Sequence, residues 1–304
     1  LRATFTKIRD RVYKPGFYLF ETAVIGGTLL IGALLLSTNH MTLQGLASLW
    51  YMPILGIIAA TIGMTTPAGG GVVFFPTLVL SGVPPVEAAA FSLGAQSFGM
   101  GLFGTWNWFK KDHTAIIVPV VVITVLSAWF GSLLGMFLFP IESAAPLRLI
   151  FSTFGAALAI YIIIMLVRGI NKEVREFELN AASIFACVSV GLAGGLLVSY
   201  IGVGVDAIIF FVLTYFFKVF SRRATVTSIV TMGFSAMLPF AFQLFYFHNV
   251  PLEMLYMVLP GILVGARVGP WLNFILGPPR VLGAFACLLI LEFLMTIYKL
   301  VLFG

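Results

Sequence analysis

The sequence predicts an all-α polytopic membrane protein. It is built from two inverted-topology repeats of about five helical segments each, with short broken helices, and an extra N-terminal helix stands outside the repeats. Three observations lead there. Hydrophobic residues make up 61% of the chain and charged residues 9%, against roughly 25% charged in a soluble globular protein. The apolar stretches are continuous, as over 115–139, whereas the strands of a membrane β-barrel alternate apolar and polar residues. Glycine-rich interruptions also recur at a nearly constant spacing between the two halves of the chain.

Residues 1–15 are polar and basic, with Leu1, Phe5, Ile8 and Val12 at helical spacing. This is the pattern of an amphipathic helix lying on a membrane surface, and Pro15-Gly16 ends it. The stretch 16–45 holds the extra transmembrane helix, over 17–38. Ten further segments follow, at 46–64, 72–83, 86–109, 115–139, 145–168, 181–200, 206–217, 224–247, 254–276 and 281–302. Thr66-Pro67, Pro84-Pro85, Lys110-Lys111, Pro140 and Pro278-Pro279 punctuate them.

Two of these segments are odd. A spanning helix needs ~20 apolar residues, yet 72–83 and 206–217 hold twelve each, enough for only ~18 Å of helix. Each follows a break: Thr65-Thr66-Pro67-Ala68-Gly69-Gly70-Gly71, and Ser199-Tyr200-Ile201-Gly202-Val203-Gly204. Short, Gly/Pro-interrupted segments at corresponding places in two halves point to a transporter binding site.

The places do correspond. Gly69 and Gly204 are 135 residues apart, and Gly131-Ser-Leu-Leu-Gly135 precedes Gly265-Ala-Arg-Val-Gly269 by 134. Pro146 precedes Pro279 by 133, and Ala88–Ser92 precedes Ala224–Ser228 by 136. The first repeat then spans 46–170 and the second 181–304, with 171–180 as a cytoplasmic linker. Five segments per repeat is an odd number, so the second copy enters the membrane from the opposite face.

The net charge of +6 sits in short loops, which fits the positive-inside rule and not a nucleic-acid surface. With the N-terminus in the cytoplasm, alternate crossings place Lys110, Lys111, Arg168, Lys172, Arg175, Lys218, Arg222, Arg223 and Arg280 inside. Only Arg148, Arg267 and Lys299 fall elsewhere. Cys187 and Cys287 lie in apolar stretches, where thiols act as small hydrophobes. No metal-type Cys/His cluster occurs, and neither a metal nor a cofactor is expected.

The stretch GIIAATIGMTTPAGGGVVFFPTLVLSGVPPVEAAAFSL at 56–93 resembles the first signature of the sulfite exporter TauE/SafE family. The copy at 191–228 and the GARVG stretch at 265–269 resemble its second half, so the resemblance runs over roughly 46–302. Thr65, Thr66 and Pro67 before the first glycines, and Asp206 where a third glycine is expected, depart from the pattern. The resemblance implies export of sulfite, or of organosulfonates such as sulfoacetate, across a bacterial inner membrane. The partners it implies are the lipid bilayer and that anion, with no nucleic acid. It leaves open proton coupling and a homodimer.

An anion crossing a bilayer needs donors and positive potential. Helix N-termini supply both, and Gly69, Gly70, Gly71, Gly202 and Gly204 precede the short helices. These glycines either cradle the substrate or permit tight helix packing. Arg267, well inside segment 254–276, either holds a sulfonate by bidentate hydrogen bonds or snorkels. Asp206 is either a helix cap or a coupling or gating group whose protonation admits the anion. Ser92, Gln96, Ser199 and Ser228 offer donors beside the breaks, or else bond their own helices. Trp106 and Trp108, near Lys110, suggest an interfacial belt.

The chain has no phosphate-binding P-loop motif, which favours secondary transport by alternating access. Glycine-rich breaks also build channel filters, and unitary conductance would distinguish that reading. An intramembrane enzyme would need a nucleophile and base or a metal-ligand set. With three histidines, all near predicted segment ends, and no HExxH motif, no enzymatic activity is expected.

Overall fold

The computed structural model describes residues 43–138, 145–168 and 175–303, together with scattered positions between 22 and 30. The expected surface helix of 1–15, most of segment 17–38 and part of the linker lie outside the described residues.

Among those residues the protein is all helical. The elements are α1 (Leu43–Ser48), α2 (Met52–Thr65), α3 (Gly71–Leu80), α4 (Pro85–Gln96), α5 (Thr105–Asp112), α6 (Val118–Leu138), α7 (Ala145–Arg168), α8 (Ala181–Ile201), α9 (Val205–Tyr215), α10 (Ser221–Phe245) and α11 (Leu252–Phe303). A π-helical stretch, Ser97–Gly104, joins α4 to α5 without a loop. The expected segment 86–109 is therefore three pieces of one rod. Helix α11 combines the expected segments 254–276 and 281–302, and its backbone leaves the helical region at Gly277 (φ 70°, ψ 166°).

Four described helices are long and apolar enough to cross a membrane: Val118–Leu138, Ala181–Ile201, Ser221–Phe245 and Leu252–Tyr298. Met52–Thr65, Gly71–Leu80, Ser152–Arg168 and Val205–Tyr215 are apolar but shorter. The side-chain distribution inverts that of a water-soluble bundle. Val118, Val122, Leu126 and Phe130, four residues apart along α6, are exposed. The buried polar residues include Ser92, Gln96, Asp206, Thr227, Ser228 and Asn273. Lipid accepts the first set, and buried polar groups must find partners inside the protein.

One order of elements occurs twice. A helix, a short helix, a long rod and two further helices run from α2 to α7, and again from α8 to the end of α11. Packing crosses between the halves: α2 lies along α11, α6 along α8, and α7 against α11. The first two contacts are glycine seams. On α11, Gly261 meets Pro53, Gly265 meets Ala60 and Gly269 meets Met64 of α2. Between α6 and α8, Gly131 meets Leu192, Gly191 meets Ser127 and Gly195 meets Ala128. Small residues let membrane helices approach this closely, where lipid supplies no hydrophobic drive for association. The GSLLG and GARVG landmarks are thus parts of helix seams.

The end of α5 and the start of α10 also meet on α11. Lys111, just past the expected segment 86–109, and Arg222, at the start of α10, both lie over the Phe274 ring, at 5.1 and 4.8 Å. The linker touches the loop after α9 through Arg175 N–H donating to Lys218 O at 3.1 Å. Asn180 and Ser183 then start α8 with a reciprocal capping box. Trp108 is wholly buried, so it belongs to the core and not to an interfacial belt. Trp106 carries the Lys110 ammonium 4.4 Å from its ring centre.

Candidate functional site

The two breaks meet. Helix α2 ends at Thr66, which is extended (φ −123°, ψ 160°), and its hydroxyl donates to Ile62 O at 3.0 Å. Residues 67–70 then turn back into α3, with Gly69 at φ +66°, a backbone region that glycine enters at little cost. Helix α8 ends in a left-handed Gly202 (φ +71°), and Gly204 (φ +135°) leads into α9. No side chain caps the N-terminus of α3 or of α9. The first N–H groups of α3 therefore keep the anion-attracting character of an uncapped helix end, whereas in α9 the Asp206 carboxyl takes the Ala207 N–H.

Around this junction the groups are tightly placed. A Cβ on Gly71 would run into the Val203 side chain and lie 2.6 Å from Ser92 Oγ and 2.9 Å from Gln96 Nε2. One on Gly69 would run into Asp206 Oδ2 and lie 3.0 Å from Gln96 Oε1. Gln96 spans the two halves: its amide donates to Gly202 O at 2.6 Å, and to Ser92 O and Ser92 Oγ at 3.1 Å each. Asp206 is 1% exposed, and its Oδ1 accepts from Ala207 N–H at 3.0 Å. Asp206 Oδ2 and Gln96 Oε1 are buried with no hydrogen-bond partner. A small cavity beside the junction is lined by Gly71, Val72, Phe75, Ile201, Val203 and Glu292, among others.

The structure brings together Gly69, Gly71, Ser92, Gln96, Gly202, Gly204 and Asp206. Gly70 stands at the N-cap of α3, nearest the ring of its own helix's Phe74. Of the other expected residues, two bond within their own helices and one is exposed. Ser199 faces Gly135 across the α6–α8 seam, and its hydroxyl donates to Leu196 O at 2.7 Å. The Ser228 hydroxyl donates to Thr225 O at 2.8 Å, within its own helix. Arg267 is exposed. Gly265 and Gly269 pack on α2 and Arg267 lies midway between them, about 200° around the helix from each, so it points away from α2. Asp206 is not the N-cap of α9, because Gly204 holds that position. Arg267→Ala is therefore expected to leave any anion-dependent rise in thermal stability unchanged. Loss of that rise in the variant would bring Arg267 back into the site.

The sequence reading missed Asn273 and left Glu292 unplaced. Asn273 is 3% exposed and donates to Thr65 O at 2.6 Å, which satisfies a carbonyl left open where α2 ends. It continues the four-residue spacing of Gly261, Gly265 and Gly269, a legible sign that it lies on the same face. Glu292 accepts from Ser152 Oγ at 2.6 Å and from Thr296 Oγ1 at 3.3 Å. This couples the second half of α11 to α7.

Residues 52–296, most of the chain, match the family described as Sulfite exporter TauE/SafE. The chain belongs to that family. TauE/SafE proteins are membrane transporters, not enzymes, and the glycine breaks lie inside the matched region. No curated protein and no solved structure matches this TauE/SafE chain.

Proposed function

We propose that this TauE/SafE protein exports a small sulfur-containing anion, sulfite or an organosulfonate such as sulfoacetate, across a bacterial inner membrane with its N-terminus in the cytoplasm. The observation that carries the reading is the meeting of the two breaks. Gly71 abuts Val203, and Gln96 of the first half holds the Gly202 carbonyl of the second. The uncapped start of α3 and the start of α9, whose Ala207 N–H is held by Asp206, converge there with Ser92. Together they offer an oxyanion donors without a fixed cation that would trap it.

The architecture supports alternating access. Each half contributes one break, and the two halves embrace along the α2–α11 and α6–α8 seams. Rocking one half against the other exposes the junction to one side at a time. The repeated order of elements supports inverted-topology repeats over 46–170 and 181–304. The shared Phe274 contact of Lys111 and Arg222 supports placing both loops on one side, the cytoplasmic one by the positive-inside rule. Asp206 is the coupling group: a neutral carboxyl admits the anion, and an ionised one repels it.

The test is thermal unfolding of the purified protein with sulfite, thiosulfate, sulfoacetate, taurine, sulfate and acetate in turn. A ligand that binds only the folded state at a hundredfold excess over its Kd stabilises it by about 2.7 kcal/mol. A selective rise with sulfite or a sulfonate is expected. A flat response across the panel would remove this substrate class.

A further inference from the structure

Two buried oxygens at the junction share an unsolved problem. The Gln96 amide has a fixed orientation, because Nε2 faces two carbonyl oxygens, Gly202 O at 2.6 Å and Ser92 O at 3.1 Å. Turning the amide over would set its oxygen against both. Oε1 is thus forced to the other side, where it and Asp206 Oδ2 converge on the space above Gly69. Both are acceptors, and neither has a donor. A buried acceptor left unpaired costs about 1–3 kcal/mol, and two facing each other cost more.

We propose that a proton on Asp206 Oδ2 bridges to Gln96 Oε1, and that Gln96 is the positioning residue that transmits this proton to the second break. With the proton in place, the carboxyl O–H donates to Oε1, Nε2 keeps its bonds to Gly202 O and Ser92 O, and the halves are latched. When the proton leaves for water admitted on the open face, Oδ2 becomes an anionic acceptor. The terminal amide torsion is soft and two-fold, so the amide turns its N–H toward Asp206. Its oxygen then opposes Gly202 O, and the latch on the left-handed end of α8 opens.

The surroundings leave this carboxyl to Gln96. Its other oxygen, Oδ1, accepts from the Ala207 N–H at 3.0 Å. Of the titratable side chains on the packed elements, the Tyr200 hydroxyl of α8 donates to Gly135 O and Arg222 of α10 lies over Phe274, while Glu292 of α11 lines the cavity beside the junction and accepts from Ser152 Oγ and Thr296 Oγ1. Glu87 stands in the first turn of α4, at the opposite end from Gln96. A hard metal cation collects six or more oxygen ligands, and two uncommitted oxygens serve a proton instead.

The inference rests on the junction being the transport site, but its test needs no anion. Infrared difference spectra of the full chain in lipid bilayers are recorded through a pH titration. The expected result is a protonated-carboxyl band that disappears as pH rises and is absent from Asp206→Asn. In Gln96→Met, which places at 96 the residue type found at the corresponding Met232, the band moves to higher frequency because the acceptor is gone. Ser92→Ala leaves it in place. Should Gln96→Met not fold, Gln96→Asn, whose shorter side chain withdraws the acceptor, is expected to move the band in the same direction. Identical bands in the unsubstituted protein and Asp206→Asn would overturn the proposal. So would a band indifferent to residue 96, or one that sodium ions remove at constant pH. A flat anion panel alongside these band shifts would refute the substrate class and leave the proton latch standing.

Discussion

Gly71→Ala is expected to abolish the anion-dependent rise in stability, and Gly70→Ala, one residue away, is expected to keep it. The added methyl on Gly71 has nowhere to go. It meets Val203 from the second break, with Ser92 Oγ and Gln96 Nε2 at 2.6 and 2.9 Å, and all three are buried between helices. Overpacking of this kind costs about 1–3 kcal/mol. Part of that cost falls on the geometry that brings the breaks together, and about 1.4 kcal/mol is already tenfold in affinity. On Gly70 the nearest atom is a Phe74 ring carbon at 3.3 Å, on an adaptable side chain of the same helix. Thermal unfolding of both variants, with and without the anion found by the panel, measures the contrast. Equal behaviour of the two would mean that contact between the breaks does not shape the site.

Gly261→Ala is expected to lower stability by at least the upper end of the same range, about 3 kcal/mol. The Cβ would strike the Pro53 carbonyl, with Ile57 N at 3.0 Å. These are backbone atoms of a packed helix, so relief requires α2 and α11 to separate along their whole seam. The comparison is Gly283→Ala, where the nearest atom is Leu166 Cδ1 at 4.0 Å. There the gain in helix propensity, up to about 1 kcal/mol, makes the change neutral or stabilising. Unfolding midpoints in one detergent give both numbers, and a Gly261→Ala protein as stable as Gly283→Ala would contradict the seam.

The residues that announced themselves in the sequence were those whose local chemistry and tertiary role agree. The short helices, read at 72–83 and 206–217, stand at Gly71–Leu80 and Val205–Tyr215, because positive-φ glycines mark their starts. The π-helical run at 97–104 was not legible. It forms where Gly99, Gly101 and Gly104 press on Ile262, Met237 and Met64, contacts that local pattern does not encode. Arg267 was a candidate on other grounds. Its depth was weighed, but not its direction, which Gly265 and Gly269 on either side already fixed. Ser199 and Ser228 were chosen for nearness and for repeat symmetry, whereas the bond each hydroxyl makes lies within its own helix. Gln96 was legible as a donor. Its second role as an acceptor depends on a carboxylate 110 positions later in the chain, which only folding brings alongside.

The seam between α2 and α11 also bears on how the protein is made. Translation delivers α2 to the bilayer long before residue 252 is synthesised, so Gly56, which meets Val258 and Ile262 of α11, faces lipid tails while most of the molecule is still being added. The α6–α8 seam has no such delay, since its second strip is complete by residue 201. Assembly should then proceed from the middle outward, with the central pair docking first and α2 captured last. Nascent chains arrested between residues 201 and 252 would hold a docked α6–α8 core beside an orphaned α2. That is the species a membrane insertase or quality-control protease would encounter.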